Sequence, residues 1–204
     1  MITIIDYGAG NIKSIRNMLK KMGVASIISK NPTEIAQAEK LILPGVGHFD
    51  FGMKNLKESG LIEVLHTSVM KEKVPLLGIC LGAQLLGNSS EEGSEKGLSW
   101  IDMEVGKFDS SKIDVKFKIP HMGWNDIEIQ QPSKLLAKLE QEARFYFVHT
   151  YHMKPNNAED VLTTTNYGYN FASAVKRANI YGVQFHPEKS HRFGMQLLSN
   201  FSKI

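Results

Sequence analysis

The residue whose chemistry stands out first is Cys80, the single cysteine of the chain. It lies in Gly78-Ile79-Cys80-Leu81-Gly82, the cysteine form of the G-x-nucleophile-x-G elbow. An apolar run precedes the elbow, and a helical segment beginning Ala83-Gln84 follows it. A sharp strand-to-helix turn would raise the thiol above the sheet edge, at a helix N-terminus whose dipole favours the thiolate. The pattern predicts a nucleophile, although Gly-x-Cys-x-Gly alone also fits a buried structural cysteine.

A cysteine nucleophile needs a histidine within hydrogen-bond reach and a third group that orients the imidazole ring. His186 follows the apolar residues 181–185 and precedes Pro187 and Glu188. In an extended segment, residues 186 and 188 point to the same side, so the carboxylate of Glu188 would hold the ring. This pair alone also fits a solvated loop, but a late histidine after an elbow matches the order of an α/β hydrolysing triad. We therefore predict a triad of Cys80, His186 and Glu188.

Acyl transfer also requires hydrogen-bond donors aimed at the developing oxyanion. The backbone N–H of Leu81, directly after the nucleophile, is one natural donor. A second donor is expected from the neighbouring loop Pro44-Gly45-Val46-Gly47, whose two glycines permit positive φ and close approach to a ligand. The alternative interpretation of this loop is a simple tight turn. We predict an oxyanion hole built by Gly45, Val46, Gly47 and Leu81.

The remaining histidines are weaker candidates for chemistry. His149 lies in the apolar segment 145–150 and would line the pocket, although such a histidine is more often a satisfied core residue. No two histidines have the spacing of a metal site, and one cysteine offers no zinc cluster. We therefore expect no metal and no other cofactor. The other weak candidates are His48, His121 and His152, while His66 and His191 are predicted to lie on helix surfaces.

The elements that must position these residues alternate between short apolar runs and longer periodic segments. Residues 2–5, 24–29, 41–43 and 74–79 predict strands, and helical periodicity connects them, including a helix over 53–70. This alternation is typical of a parallel sheet covered on both faces. Ligands gather outside the carboxyl ends of the strands in open α/β sheets, where the elbow lies. The predicted fold class is α/β, with an open, mixed, mostly parallel sheet flanked by helices.

The second half of the chain changes character. Residues 98–131 contain several short β-like runs, and residues 145–150 and 160–165 predict further strands. A hairpin is predicted around Arg177-Ala178-Asn179, and a closing helix over 190–203. No internal repeat or linker separates two units, so we predict a single domain over residues 1–204.

Composition narrows the class of function. The chain has 204 residues, of which 42% are hydrophobic and 22% charged, which is ordinary for a globular protein. The formal net charge is +3 and the basic residues are scattered, so we expect no nucleic-acid partner. No run reaches the ~18 apolar residues of a membrane helix, and Met1-Ile2-Thr3-Ile4-Ile5-Asp6 is a poor signal peptide. With one unpaired cysteine, the expected location is the cytoplasm, away from membranes.

Together these motifs resemble the class I, triad-type glutamine amidotransferases, whose fold is flavodoxin-like. The resemblance covers nearly the whole chain and includes the oxyanion loop, the elbow and Gln184-Phe185-His186-Pro187-Glu188. Within that family, the chain is most similar to the glutaminase subunits of imidazole glycerol phosphate synthases. The strings that carry the closer similarity are Ile5-Asp6-Tyr7-Gly8-Ala9-Gly10-Asn11, Pro120-His121-Met122-Gly123-Trp124-Asn125, the presumed strand Phe147-Val148-His149-Thr150-Tyr151, and Phe185-His186-Pro187-Glu188-Lys189-Ser190.

The resemblance implies a reaction and a partner. Cys80 would attack the carboxamide of L-glutamine and release ammonia, leaving a glutamyl thioester that water resolves, with His186 moving protons and Glu188 orienting it. The subunit would form a heterodimer with a (β/α)₈-barrel synthase and channel ammonia into it, with low activity alone. Substrate-binding positions carried over from the family are Gly47, Gln84, Thr150 and Tyr151, and partner-interface positions are Asn11, Met122 and Trp124.

Some residues depart from the pattern and keep alternatives open. Ala83 stands where many relatives carry methionine. Residues 98–102 and 190–196 are similar to a paralogous set that supplies ammonia to a synthase amidating a surface-polysaccharide sugar. A cysteine peptidase or γ-glutamyl hydrolase on the same scaffold is disfavoured by the glutamine-pocket strings. A non-catalytic subunit is disfavoured because all three triad residues are present.

Overall fold

The computed structural model describes residues 1–113, 118–139 and 142–204. In chain order, the strands are β1 (Ile2–Ile5), β2 (Ser26–Ser29), β3 (Lys40–Gly45), β4 (Leu76–Cys80), β5 (Ser89–Ser90), β6 (Met103–Lys107), β7 (His121–Asp126), β8 (Glu128–Ile129), β9 (Arg144–His149), β10 (Tyr151–Pro155), β11 (Val161–Tyr167), β12 (Tyr169–Arg177) and β13 (Ile180–Val183). The helices are α1 (Ile12–Lys21), α2 (Pro32–Ala36), α3 (Phe49–Glu58), α4 (Ile62–His66), α5 (Leu81–Gln84) and α6 (His191–Phe201). A π-helical turn (Thr67–Lys71) continues α4, and 3₁₀ turns cover Lys134–Leu136, Ala158–Asp160 and Pro187–Lys189.

The larger sheet has a parallel half and an antiparallel half. Strands β2, β1, β3, β4 and β13 lie side by side and are all parallel. From β13 the sheet continues antiparallel through β12, β10 and β6, with β11 beside β12 and β8 beside β11. Strands β7 and β9 form a separate antiparallel pair. The sequence prediction of a mixed, mostly parallel α/β sheet with flanking helices is thus confirmed.

Alternating side chains on the central strands serve two different cores. On β3, Leu41 and Leu43 belong to one cluster of buried residues and Ile42 belongs to the other. Apolar residues of α2, α3 and α4 join the first cluster, and those of α1 and α6 join the second. Strands covered on both faces must be apolar on both faces, which explains why these segments are continuous apolar runs. The two layers hold the carboxyl ends of β3 and β4 in a fixed relation.

Three sequence expectations about elements were wrong. The apolar segment 53–70 is not one helix, because Gly60 adopts φ +70° and ends α3 before α4 begins. A helix beginning at Ala83-Gln84 was expected after the elbow, but α5 starts at Leu81 and is a single turn that ends at Gln84. The presumed continuous strand over residues 147–151 divides at Thr150 into β9 and β10, which belong to different sheets.

The hairpin predicted around residues 177–179 is present as β12 and β13, and the closing helix is α6. Within the described residues, no helix is long and apolar enough to cross a membrane. The prediction of a single domain over residues 1–204 stays a prediction.

Candidate active site

The nucleophile elbow is a strained turn between β4 and α5. Cys80 closes the buried strand and adopts φ +53° and ψ −113°, a conformation that residues with a side chain rarely occupy. Gly82 allows the elbow to press against β3, because a Cβ at position 82 would lie 1.9 Å from the carbonyl oxygen of Leu43. Only 7% of Cys80 is exposed. Unusual backbone geometry of this kind persists where the surroundings over-determine it, and such positions cluster at functional sites.

The loop after β3 lies beside the elbow. Gly45 is paired with Cys80 in the register of the two parallel strands, so the chain emerges next to the nucleophile. The buried hydroxyl of Tyr7 donates a 2.7 Å hydrogen bond to the carbonyl of Pro44, which anchors the end of β3. Gly47 has φ +108°, a left-handed conformation that glycine tolerates. Within the described chain, the backbone N–H groups of Val46 and Gly47 donate no hydrogen bond, so both are available to a ligand.

His186 is held by backbone and side-chain contacts on one side. Its Nδ1 lies 2.8 Å from Oε1 of Glu188, and both side chains are almost fully buried. Its backbone N–H donates to the carbonyl of Tyr146, and its own carbonyl accepts a hydrogen bond from Ser190. The buried Nε2 makes no hydrogen bond to the described residues and is left for Cys80.

The protonation of His186 is set by opposing effects. Burial lowers its pKa, but the interactions with the neighbouring Cys80 and Glu188 together raise the pKa to about 10. The ring is therefore an imidazolium at neutral pH, poised to donate a proton from Nε2. The sequence expectation that residues 186–188 are extended was wrong, because Pro187 begins a 3₁₀ turn. The predicted contact between the two side chains nevertheless forms.

A cavity of about 310 Å³ opens in front of the thiol. It has room for one small molecule, and its wall is mostly apolar with a few polar groups, as is usual for a ligand site. Its lining residues are Val46, Gly47, Cys80, Leu81, Gln84, Glu92, Pro120, Val148, His149, Thr150, Tyr151 and His186.

Most of the residues singled out in the sequence meet at this cavity. The four positions assigned to substrate, Gly47, Gln84, Thr150 and Tyr151, all line it, with two members of the triad. Glu188 stands behind the imidazole. Of the predicted oxyanion residues, Val46, Gly47 and Leu81 line the cavity, but Gly45 does not, because it lies within β3 beneath the loop.

The residues assigned to a partner lie outside the cavity. Met122 and Trp124 are 61% and 43% exposed and lie on β7. This strand begins directly after Pro120, which lines the cavity. The ring of Trp124 stacks almost parallel on His191, at 5.4 Å between centroids. Asn11 is half-buried directly before α1.

Sequence reasoning missed several groups at the site. Glu92 lines the cavity, and its Oε2 accepts a 2.8 Å hydrogen bond from the backbone N–H of Phe49. Nε2 of Gln184 lies 3.8 Å from Sγ of Cys80, and its Oε1 accepts from the amide of Gln84. His149, by contrast, was expected to line the pocket, and it is part of the cavity wall. No local pattern distinguishes Glu92, since its loop meets α3 only through the tertiary fold.

In the part of the chain that the structure describes, no group of three or more histidine, cysteine or acidic side chains is placed to hold a metal ion. The arrangement at the cavity is instead that of a thiol nucleophile, a histidine and an orienting carboxylate, beside free backbone donors. Fold and site together define a cysteine hydrolase of the triad type on an α/β scaffold.

Comparison with known proteins identifies the particular family. The family model described as glutamine amidotransferase class-I matches residues 3–204. The chain belongs to the class I glutamine amidotransferases, and it is an enzyme that hydrolyses glutamine.

Curated relatives and solved structures agree with this assignment. The chain is 56% identical over 203 residues to "Imidazole glycerol phosphate synthase subunit HisH 2" of Methanococcus maripaludis, covering 100% of this chain and 99% of the relative. It is 52% identical over 204 residues to the protein of the same name from Pseudomonas aeruginosa, covering 100% of both. A crystal structure of a glutamine amidotransferase has a TM-score of 0.76 at 17% identity over 100% of both chains. The PurLQS structure from Thermotoga maritima has a TM-score of 0.73 at 15% identity, over 98% of this chain and 96% of that one. At these identities, the solved structures speak for the fold alone.

Proposed function

We propose that this chain is the glutaminase subunit of an imidazole glycerol phosphate synthase and supplies ammonia for histidine biosynthesis. The observation that carries the chemistry is that Cys80 and His186 meet at one cavity, with Glu188 behind the imidazole, beside backbone donors that bond to no described residue. The pathway is supported by the full-length relatives named above, at 52% and 56% identity. Nothing in their names favours the sugar-amidating alternative.

The reaction begins with the thiolate of Cys80 facing the imidazolium of His186. Sγ attacks the carboxamide carbon of L-glutamine, and the carbonyl oxygen takes up the negative charge. Collapse of this intermediate breaks the C–N bond, and the proton on Nε2 of His186 passes to the leaving nitrogen as ammonia departs. The neutral imidazole then removes a proton from water, which attacks the thioester. Expulsion of the thiolate yields glutamate and restores the ion pair.

Fixed hydrogen-bond donors stabilise the transition state most where the oxyanion forms. The N–H of Leu81 and those of Val46 and Gly47 are the candidates on this chain. The N–H groups of Val46 and Gly47 donate no hydrogen bond within the described residues, so they can donate to an oxyanion without breaking an existing bond. Gly45 acts through the backbone of β3, which sets where this loop begins.

Recognition of glutamine is assigned to the polar groups of the cavity wall. The carboxylate of Glu92 suits the α-ammonium group, because it lines the cavity and is anchored by the N–H of Phe49. Both amide protons of Gln84 are used, in bonds of 3.1 Å to the carbonyl of Tyr151 and to Gln184. Its Oε1 is therefore left to accept from the substrate, and Thr150 completes the wall.

The partner is a (β/α)₈-barrel synthase subunit, which forms a heterodimer with the chain and receives ammonia through a channel. Exposed Met and Trp side chains on one strand are typical of a docking surface, and Met122 and Trp124 meet this description beside the cavity. Asn11 is assigned to the same interface by the family resemblance. We place the complex in the cytoplasm, since a single unpaired thiol suits a reducing compartment.

Glutamine hydrolysis by the purified chain tests this proposal. Wild type and Cys80→Ala are each assayed alone and with a histidine-pathway barrel synthase carrying its nucleotide ligand. We expect ammonia release that depends on the partner and vanishes in Cys80→Ala. Release that persists in Cys80→Ala would refute the catalytic assignment. Activation by a sugar-modifying synthase instead would refute the pathway and leave the chemistry intact.

A further inference from the structure

A chain of buried polar groups connects β7 to the cavity and has no role in the triad. His121 on β7 faces inward between the exposed Met122 and the cavity residue Pro120. Its Nδ1 lies 3.0 Å from Nε2 of His149, which lines the cavity. Two histidines in direct contact can form a hydrogen bond only if one ring nitrogen donates and the other accepts. Which one donates is decided by the groups at the two ends of the chain.

The outer end of the chain is fixed by Asn125. Its Oδ1 accepts a 2.9 Å hydrogen bond from the N–H of Asp126, and its Nδ2 donates a 2.9 Å bond to the carbonyl of Asn166. The amide orientation is therefore determined. The same Nδ2 lies 3.2 Å from Nε2 of His121, which must accept. His121 consequently carries its proton on Nδ1 and donates to His149.

The inner end requires the same direction. Nδ1 of His149 lies 2.8 Å from the carbonyl oxygen of Tyr151, which can only accept. His149 therefore has its proton on Nδ1 and a lone pair on Nε2, as the donor His121 demands. The groups at the two ends are different, and they require the same proton position at every nitrogen of both rings.

From Tyr151 the chain continues to the nucleophile. The carbonyl of Tyr151 accepts a second hydrogen bond, 3.1 Å, from Nε2 of Gln84. Gln84 donates its other amide proton to Oε1 of Gln184 over 3.1 Å, and Nε2 of Gln184 lies 3.8 Å from Sγ of Cys80. A continuous series of oriented groups thus leads from β7 to the thiol.

The surroundings keep both rings neutral and in place. His121 stacks between Phe147 and Tyr167, at 4.7 and 4.0 Å between ring centroids. Burial lowers the pKa of His121 to about 4 and that of His149 well below its ordinary value. A neutral ring has one donor and one acceptor, as the chain of hydrogen bonds requires.

We propose that His121 and His149 are positioning residues that hold Gln84 and the nucleophile in register with β7, so that a partner docked on β7 acts on the site through them. This inference rests on the proposed function, because it needs glutamine hydrolysis that responds to the partner. Neither histidine is assigned a proton transfer to substrate. The side chains of Met122 and Trp124 face the partner, whereas those of His121 and Asn125, at alternate positions of the same strand, belong to the network.

A pair of variants at position 121 separates positioning from simple packing. His121→Phe keeps a ring between Phe147 and Tyr167 but removes both nitrogens. His121→Asn gives up the ring and keeps an N–H near the position of Nδ1. Both are assayed for glutaminase activity alone and in the heterodimer with the barrel synthase and its nucleotide ligand. Partner affinity is measured in parallel, since the exposed side chains of β7 are unchanged.

We expect His121→Phe to lower the activation by the partner about tenfold, the equivalent of one net hydrogen bond, with partner affinity unchanged. His121→Asn should restore activation to within about threefold of wild type, although it packs less well. A packing role alone predicts the opposite ranking of the two variants. Equal activation of His121→Phe and wild type would overturn the inference. Loss of partner dependence in wild type would instead refute the proposed function.

A second measurement does not depend on any variant folding. In the wild-type chain, ¹⁵N NMR of the imidazole rings reports which nitrogen carries the proton. We expect His121 and His149 both to be neutral and protonated on Nδ1. The Nε2–H tautomer at either residue would overturn the proposed direction of the chain.

Discussion

The strained backbone of the nucleophile makes a prediction about stability that does not involve catalysis. Cys80 has φ +53° and ψ −113°, and a non-glycine residue in such a region costs about 1–3 kcal/mol. Cys80→Ala keeps this cost because alanine has a Cβ, whereas Cys80→Gly removes it. Both variants lack the thiol, so comparing them isolates the backbone.

The size of the effect follows from the difference between two sites. At an ordinary buried strand position such as Ala174, replacement by glycine costs about 0.4–1 kcal/mol of chain entropy and about 0.8 kcal/mol of lost methyl burial. The same terms apply at position 80, but there the release of strain, about 2 kcal/mol in the middle of its range, opposes them. Cys80→Gly should therefore be about as stable as Cys80→Ala, while Ala174→Gly should be about 1.5 kcal/mol less stable than wild type.

Urea denaturation of the four proteins gives the free energies of unfolding, provided that the m-values agree. In a chain of this length, each kcal/mol corresponds to about 2–4 °C in melting temperature, so thermal unfolding gives a second estimate. If Cys80→Gly falls below Cys80→Ala by as much as Ala174→Gly falls below wild type, the strain does not exist and the reasoning is wrong.

Three further predictions concern the triad, the elbow and the histidines. Glu188→Gln should lower kcat about 100-fold or more, because it removes the charge that helps to raise the pKa of His186 to about 10; the alkaline limit of kcat/KM should move to lower pH. Gly82→Ala should abolish glutaminase activity and cost up to about 3 kcal/mol, since its Cβ would lie 1.9 Å from the carbonyl oxygen of Leu43. The free energy of unfolding should fall between about pH 6.5 and pH 4, because His121 and His152 have pKa values lowered by burial from 6.5 to about 4.

The sign of the acid effect follows from proton uptake. In that window the unfolded chain binds protons that these two histidines exclude in the folded chain, so their contribution to stability is complete above pH 6.5 and is lost as the pH falls. Each buried histidine contributes up to about 1.4 kcal/mol per pH unit. Urea titrations at several pH values measure the slope, which His121→Phe should reduce. A slope unchanged in His121→Phe would contradict the assignment.

The other two predictions have matched controls. For Gly82→Ala the control is Gly60→Asn, which places a residue tolerant of positive φ where no atom lies within 4 Å of the new Cβ. Equal losses in both would show that the contact with β3 is unimportant. For Glu188→Gln, an unchanged pH profile would mean that the carboxylate does not control the imidazole.

Much of the site could be predicted from short sequence motifs. The elbow requires a small residue at position 82 and a strand before it, and both requirements are visible in the sequence around Cys80. Pro187 and the spacing of His186 and Glu188 predicted a contact that forms in the structure, although through a 3₁₀ turn. The lengths of the helices were harder to predict. Gly60 ends α3 through a single backbone angle, which apolar periodicity does not register.

Other groups at the site could not be predicted, because their partners are distant in the chain. Glu92 reaches Phe49 across 43 residues, and Gln84 reaches Gln184 across 100. Such pairs depend on the register and twist of the sheet, which a local pattern does not contain. The break at Thr150 could not be predicted for the same reason, because β9 and β10 differ only in the distant strands with which they pair.

Local residue types were enough to predict the α/β class, the candidate nucleophile and the histidine–glutamate pair, because each needs particular residues in a short stretch of backbone. Their surroundings depend on the folded chain: the cavity, the backbone donors of Val46 and Gly47 that bond to no described residue, and the direction of the hydrogen bonds from Asn125 through His121. These could not be predicted, because a hydrogen bond acquires its direction from both partners. The partners of this network are brought together by strands that are far apart in the chain and become adjacent only when it folds.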